Sequence, residues 1–180
     1  MGAAIAEFKR SGLAAADVAA IVAAAGVAHG TFFFHFPTKE HVLLELERRE
    51  EERIAKQFRQ FLKTPGELAS ALSEAARLIM GLERRLGDIL FKDFLALHFS
   101  QTRPPAEDGR DHPVIVLVAD QIELARGRGE LDATVSPMNS AVYFLLGLYA
   151  LLITTSDWPS RHDLLHDYLT RTLRSMQPPA

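Results

Sequence analysis

The chain contains no cysteine. Disulfides and thiolate-bound metals are therefore excluded, and the cytoplasm is the expected location. Long apolar runs are also missing. No stretch reaches the roughly 20 residues of a membrane span, so no membrane partner is expected. The N-terminus lacks a charged segment followed by an apolar one, so no signal peptide is expected. Nor is there an excess of positive charge. Twenty Lys and Arg face 23 Asp and Glu, a net charge of −3, whereas many nucleic-acid binders carry surplus cations to neutralise phosphates. The first 40 residues balance too, with Lys9, Arg10 and Lys39 against Glu7, Asp17 and Glu40. Glycine-rich phosphate loops, nucleophile motifs and sizeable metal clusters are absent, so neither an enzyme nor a cofactor is expected. No internal repeat is found.

What is present is helical. The 180 residues suit one small module plus one helical domain, and a 48% hydrophobic content is enough for a packed core. The fold class expected is all-α, with about nine helices. In Asp17-Val18-Ala19-Ala20-Ile21-Val22-Ala23-Ala24, Asp17 is a good N-cap, because its carboxylate accepts orphan backbone N–H groups. Val18, Ile21, Val22 and Ala25 recur at helical spacing. Gly26 ends this helix, since glycine takes a positive φ without a Cβ penalty. Val27 plugs the corner. A second short helix runs through residues 29–34, and Pro37 stops it. The two together read as a helix-turn-helix.

Residues 3–11 form the expected first helix, with Ile5 and Phe8 packing behind the pair and Gly12 closing it. Thr38 can cap the helix after the turn. That helix has a charged middle with Glu-to-Arg pairs such as Glu45 with Arg49, as a solvated connector would. Thr64-Pro65-Gly66-Glu67 reads as a capping box with proline first. Gly87 allows a break before the apolar helix that carries Ile89 to Phe99. Residues 102–112 read as a loop. The run Val114-Ile115-Val116-Leu117-Val118 fits a buried strand, but Pro113 suits a helix start and Ile122 and Ala125 extend the helical period. Ser136-Pro137 starts a further helix, and a last one carries Leu164, Leu165, Tyr168, Leu169, Leu173 and Met176.

The N-terminal segment resembles the tetracycline-repressor (TetR/AcrR) family of bacterial transcription regulators. The resemblance covers about 45 residues. It rests on Phe8-Lys9-Arg10-Ser11-Gly12, Ala25-Gly26-Val27, Gly30-Thr31, the aromatic run into His35-Phe36, and Lys39-Glu40. It implies a helix-turn-helix DNA-binding domain over residues 1–44 and a ligand-binding and dimerisation domain over residues 45–180. His29 and Thr31 would then lead into the major groove, Gly30 would let the backbone approach, and Lys39 would pair with a phosphate. Phe33 and Phe34 are expected on the DNA side, with Phe32 and Phe36 facing the core and His35 structural. Three positions depart from the family pattern and weaken binding. Ala28 stands where serine or threonine is usual, Phe33 where tyrosine is usual, and Asp17, whose charge repels phosphate, where threonine is common. The family usually has a longer basic lead, so the N-terminus is expected to be truncated or its start misplaced.

The implied function is a dimeric, ligand-responsive regulator of palindromic double-stranded DNA, with repression following family habit. Leu72, Ile79, Phe91, Phe94, Leu95, His98, Phe99, Ile115 and Leu117 are expected to line an apolar cavity for a small hydrophobic or amphipathic effector, with His98 and nearby Asp93 as a polar handle. The last two helices, through Ala141, Leu145, Gly147, Tyr149, Leu165, Leu169 and Leu173, are expected to form a four-helix homodimer interface. His162 and His166 match a zinc half-site at i,i+4, but without a third ligand they read as exposed polar residues. The alternative to a regulator is a small-molecule-binding or interaction protein of this fold whose DNA binding is weakened or lost.

Overall fold

The computed structural model describes residues 1–98, 100–101 and 112–178. Among the described residues run nine helices: α1 (Gly2–Ala15), α2 (Val18–Ala25), α3 (His29–His35), α4 (Lys39–Phe61), α5 (Leu68–Leu86), α6 (Asp88–His98), α7 (Pro113–Gly127), α8 (Pro137–Thr154) and α9 (Arg161–Met176). The all-α expectation holds, and the ambiguous run at 114–118 is helix. The described residues divide into two compact units, Met1–Glu50 with Gly81–Ala106 and Glu51–Met80 with Glu107–Ala180. In the first, Phe8, Leu43, Leu90 and Leu95 are fully buried; in the second, Phe58, Leu72, Ile122, Phe144 and Leu148 are.

In the first unit α1 packs on α6 and α2, and α2 packs on α3. The break expected at Gly12 is present, with φ +77° and ψ 165° in the middle of α1. One more turn follows it, because the Leu13 N–H donates to Asp93 Oδ2 of α6 at 2.6 Å. The expected start of α5 at Pro65 does not form. Thr64 N–H still donates to the Phe61 carbonyl, so Thr64 belongs to the end of α4. The Glu67 carbonyl instead accepts the first bonds of α5, from Ser70 and Ala71.

In the second unit α7 packs on α8, and α8 on α9. Ser136 caps α8 through the Asn139 N–H, with Pro137 in the first turn. α8 comes closer to a membrane span than expected: it has 18 residues of mean hydropathy 1.5, yet only 28% of that window is buried inside the chain. Its buried stripe is Ala141, Phe144, Leu145, Leu148 and Leu152. Tyr143 is 71% and Leu146 42% exposed on other sides of the same helix.

Candidate nucleic-acid interface

The turn between α2 and α3 is Gly26-Val27-Ala28, and the two helices meet at 102°. A three-residue turn containing glycine and a crossing of about 90–120° define a helix-turn-helix. Each end of α2 is formed by the residue expected. Asp17 accepts the Ala19 N–H at 2.8 Å. Gly26 sits in the left-handed region at φ +66°, and its own N–H returns to the Ala23 carbonyl. Ala28, at the N-cap of α3, offers no side-chain bond.

One side of α3 holds it down and the other is free. Phe32 is 7% exposed, while His29, Gly30 and Thr31 are exposed, Phe33 is 40% and Phe34 85% exposed. The ring of Phe33 lies 4.9 Å from that of His29 and edge-on to Phe32 at 5.3 Å. Phe36 is half-buried, as a core-facing position allows. His35 is exposed, with its ring edge-on to Phe34 at 5.3 Å. His35, Phe36, His41, Leu44, Glu45, Arg48 and Arg49 line an open groove of about 490 Å³ where α3 meets α4.

Two acidic residues position this module: Glu7, which the sequence did not single out, and Asp93, which it read as a polar handle for the effector. The Glu7 carboxylate accepts from Arg10 and Ser11 on its own helix and from the Asp17 N–H at the head of α2. Those donors, Arg10 first, hold its pKa down at about 2. Asp93 does the corresponding work between α6 and α1. The signal for Glu7 is local, an acid three and four residues ahead of Arg10 and Ser11. Asp93 lies 80 residues from its partner, so no local spacing could reveal it.

The cations are all engaged. Lys39 does not point free for a phosphate; its ammonium donates to the Ala14 and Ala16 carbonyls at 2.9 and 3.2 Å, satisfying the C-terminal end of α1. Lys9 donates to the Arg85 carbonyl, Arg10 pairs with Glu7, and Arg48 and Arg49 share Glu45. These five are every Lys and Arg of the first 50 residues.

The remaining predicted site residues fall as follows. Leu72, Ile79, Phe91, Phe94 and Leu95 are buried, and Ile115 and Leu117 are half-buried. Phe91, Phe94 and Leu95 belong to the first unit, and the other four to the second. Phe99 and the His98 side chain lie outside the described residues. Of the residues expected at a dimer face, Ala141, Leu145 and Leu165 are buried within the chain itself, while Tyr149, Leu169 and Leu173 are half-buried. Gly147 serves the chain's own α9: Tyr168 lies over it and donates its hydroxyl to the Phe144 carbonyl at 2.7 Å. His162 and His166 are exposed.

Residues 1–46 match the family model described as bacterial regulatory proteins, tetR family. No curated protein matches the chain. Solved structures match over nearly its whole length. Thermus thermophilus FadR, a TetR-family transcriptional repressor in complex with lauroyl-CoA, is 23% identical, with a TM-score of 0.72 over 99% of this chain and 95% of its own. Bacillus subtilis FadR in complex with stearoyl-CoA is 15% identical, with a TM-score of 0.71 over 98% and 97%. The fatty acid degradation regulator FadR of Bacillus halodurans is 16% identical, with a TM-score of 0.69 over 98% and 97%. The N-terminal helix-turn-helix thus matches the N-terminal domain of the tetR family of bacterial regulatory proteins, and the whole chain shares the fold of these solved structures.

Proposed function

We propose that the protein is a dimeric transcriptional regulator that binds palindromic DNA through α3 and is released from it, as a repressor, by an amphipathic effector. Residues 1–44 carry the DNA-binding role, and residues 45–180 the ligand response and dimerisation. The observation that carries this reading is α3 itself, a short helix standing at 102° to α2 with its outer side chains in solvent. A helix so presented fits a major groove about 12 Å wide. A hydrophobic or amphipathic effector is supported by the apolar character of the expected lining, of which Leu72 and Ile79 are buried in the second unit. The acyl-CoA complexes of two proteins of this fold support long-chain acyl thioesters as the class to try first. Such a ligand acts by preferring one of two spacings of the recognition helices, which shifts the population away from the DNA-bound form.

The test is fluorescence anisotropy with palindromic duplexes from upstream of the protein's own gene. Binding is expected, and stearoyl-CoA should release it. With so few cations to spare, the affinity should fall only gently with salt. A second reading, a small-molecule binder with weakened DNA affinity, is favoured by the internal engagement of all five N-terminal cations. It predicts stabilisation by acyl-CoA without any duplex binding.

One short helix reads too few bases alone, so two copies related by a dyad are required. α8 supplies the face, since Tyr143 and Leu146 remain in solvent on a helix of mean hydropathy 1.5. Leu146→Glu places a charge where the partner's apolar face would close. Light scattering should then give the 20.0 kDa chain mass in place of twice that value. An unchanged dimer would remove α8 from the interface.

A further inference from the structure

α3 reads His29-Gly-Thr-Phe-Phe-Phe-His35. It has no Arg or Lys to grip guanine in two places and no Asn or Gln to do so for adenine. Its outward side is set by Gly30 and Phe34, which lie one turn apart and opposite the buried Phe32. A Cβ at Gly30 would meet nothing, so no side chain screens Phe34 from the N-terminal direction. The residue is 85% exposed, and His35 stands edge-on to its ring. Folding makes almost no use of this ring. Of the base-edge features in the major groove, the one an apolar ring recognises is the C5-methyl of thymine. Wedging between base steps is the alternative use of an apolar side chain, and it belongs to minor-groove binders.

Resting on the DNA-binding function proposed above, we propose that Phe34, flanked by Thr31, is the specificity-determining residue of α3 and reads thymine methyl groups, so that operator choice rests on apolar contact more than on charge. The engagement of Lys9, Arg10, Lys39, Arg48 and Arg49 within the protein is the second, independent observation that points the same way. The exposed ring also suits a protein partner, and the test separates the two.

The full-length chain is offered duplexes from a random pool, and the best-bound sequence is recovered. Each thymine is then replaced singly by deoxyuridine, which removes the methyl group and nothing else. At one or two positions per half-site the wild type should lose about fourfold in affinity, the value of one buried methyl-sized group. Phe34→Ala should bind the thymine duplex more weakly by a similar factor and no longer distinguish thymine from uracil. Phe34→Tyr, which keeps the ring, should retain the distinction. An affinity indifferent to every uracil, or a uracil penalty that survives Phe34→Ala, overturns the assignment and leaves DNA binding standing. If no duplex is recovered at all, DNA binding falls and the assignment falls with it.

Discussion

Alanine at position 12 is expected to lower the stability of the first unit by roughly 1–3 kcal/mol, because φ +77° with ψ 165° lies in a region almost closed to residues with a Cβ. The new Cβ would also stand 3.3 Å from both Asp93 Oδ2 and Ile89 Cγ2. The strain therefore falls on the Leu13–Asp93 bond, which fixes the end of α1 against α6. Asp93→Ala should cost about 1.5–3 kcal/mol by leaving that amide without its charged acceptor. The two changes act on one linkage, so their combination should cost less than the sum. Thermal melting checks this, with about 2–4 °C expected per kcal/mol for a chain of this size. Neither residue lies on α3, yet both changes should weaken duplex binding, since α1 carries Glu7, which holds the head of α2. A Gly12→Ala protein that melts with the wild type would show that the break in α1 is incidental.

The helix-turn-helix was legible because its determinants are local. Asp17 caps from two residues away, Gly26 supplies the only backbone geometry that turns the corner, and Phe32 repeats at core spacing. The bonds of Lys39 were hidden for the opposite reason. A lysine at a helix start reads as free, and only the folded chain shows the Ala14 and Ala16 carbonyls, 25 and 23 residues earlier, waiting for it. The start of α5 was misplaced because Thr64-Pro65-Gly66-Glu67 satisfies a capping pattern that α4 claims first, through Thr64. On α8 the composition announced an apolar helix but not which side of it the chain would keep. Ala141 and Leu145 went inward, and Tyr143 and Leu146 stayed out.

Gly147 shows how the same residue type can serve a different approach from the one its sequence suggests. A small residue on an apolar helix reads as a place for a second copy to come close. Here a Cβ at position 147 would lie 2.9 Å from Tyr168 Cζ and 3.0 Å from Cε2, with the hydroxyl nearer still. Tyr168 cannot swing away cheaply. Its hydroxyl donates toward the Phe144 and Tyr143 carbonyls at 2.7 and 3.2 Å, and its ring stacks on Phe144 at 6.2 Å and 7°. Burial raises its pKa, so the hydroxyl keeps its proton and remains a donor at neutral pH. Two effects oppose each other in Gly147→Ala. Helix propensity favours alanine by about 1 kcal/mol. Displacing Tyr168 costs about 1–3 kcal/mol in overpacking and up to about 1 kcal/mol for each lost hydrogen bond. The cost should prevail, leaving the variant less stable by about 1–2 kcal/mol. Tyr168→Leu removes the obstructing ring, so Gly147→Ala should become neutral or stabilising in that background, a coupling that a double-mutant cycle by thermal or urea melting would measure. Gly147→Ala raising the melting temperature of the otherwise native chain would mean that Tyr168 yields freely, and that position 147 is kept small for a second copy after all.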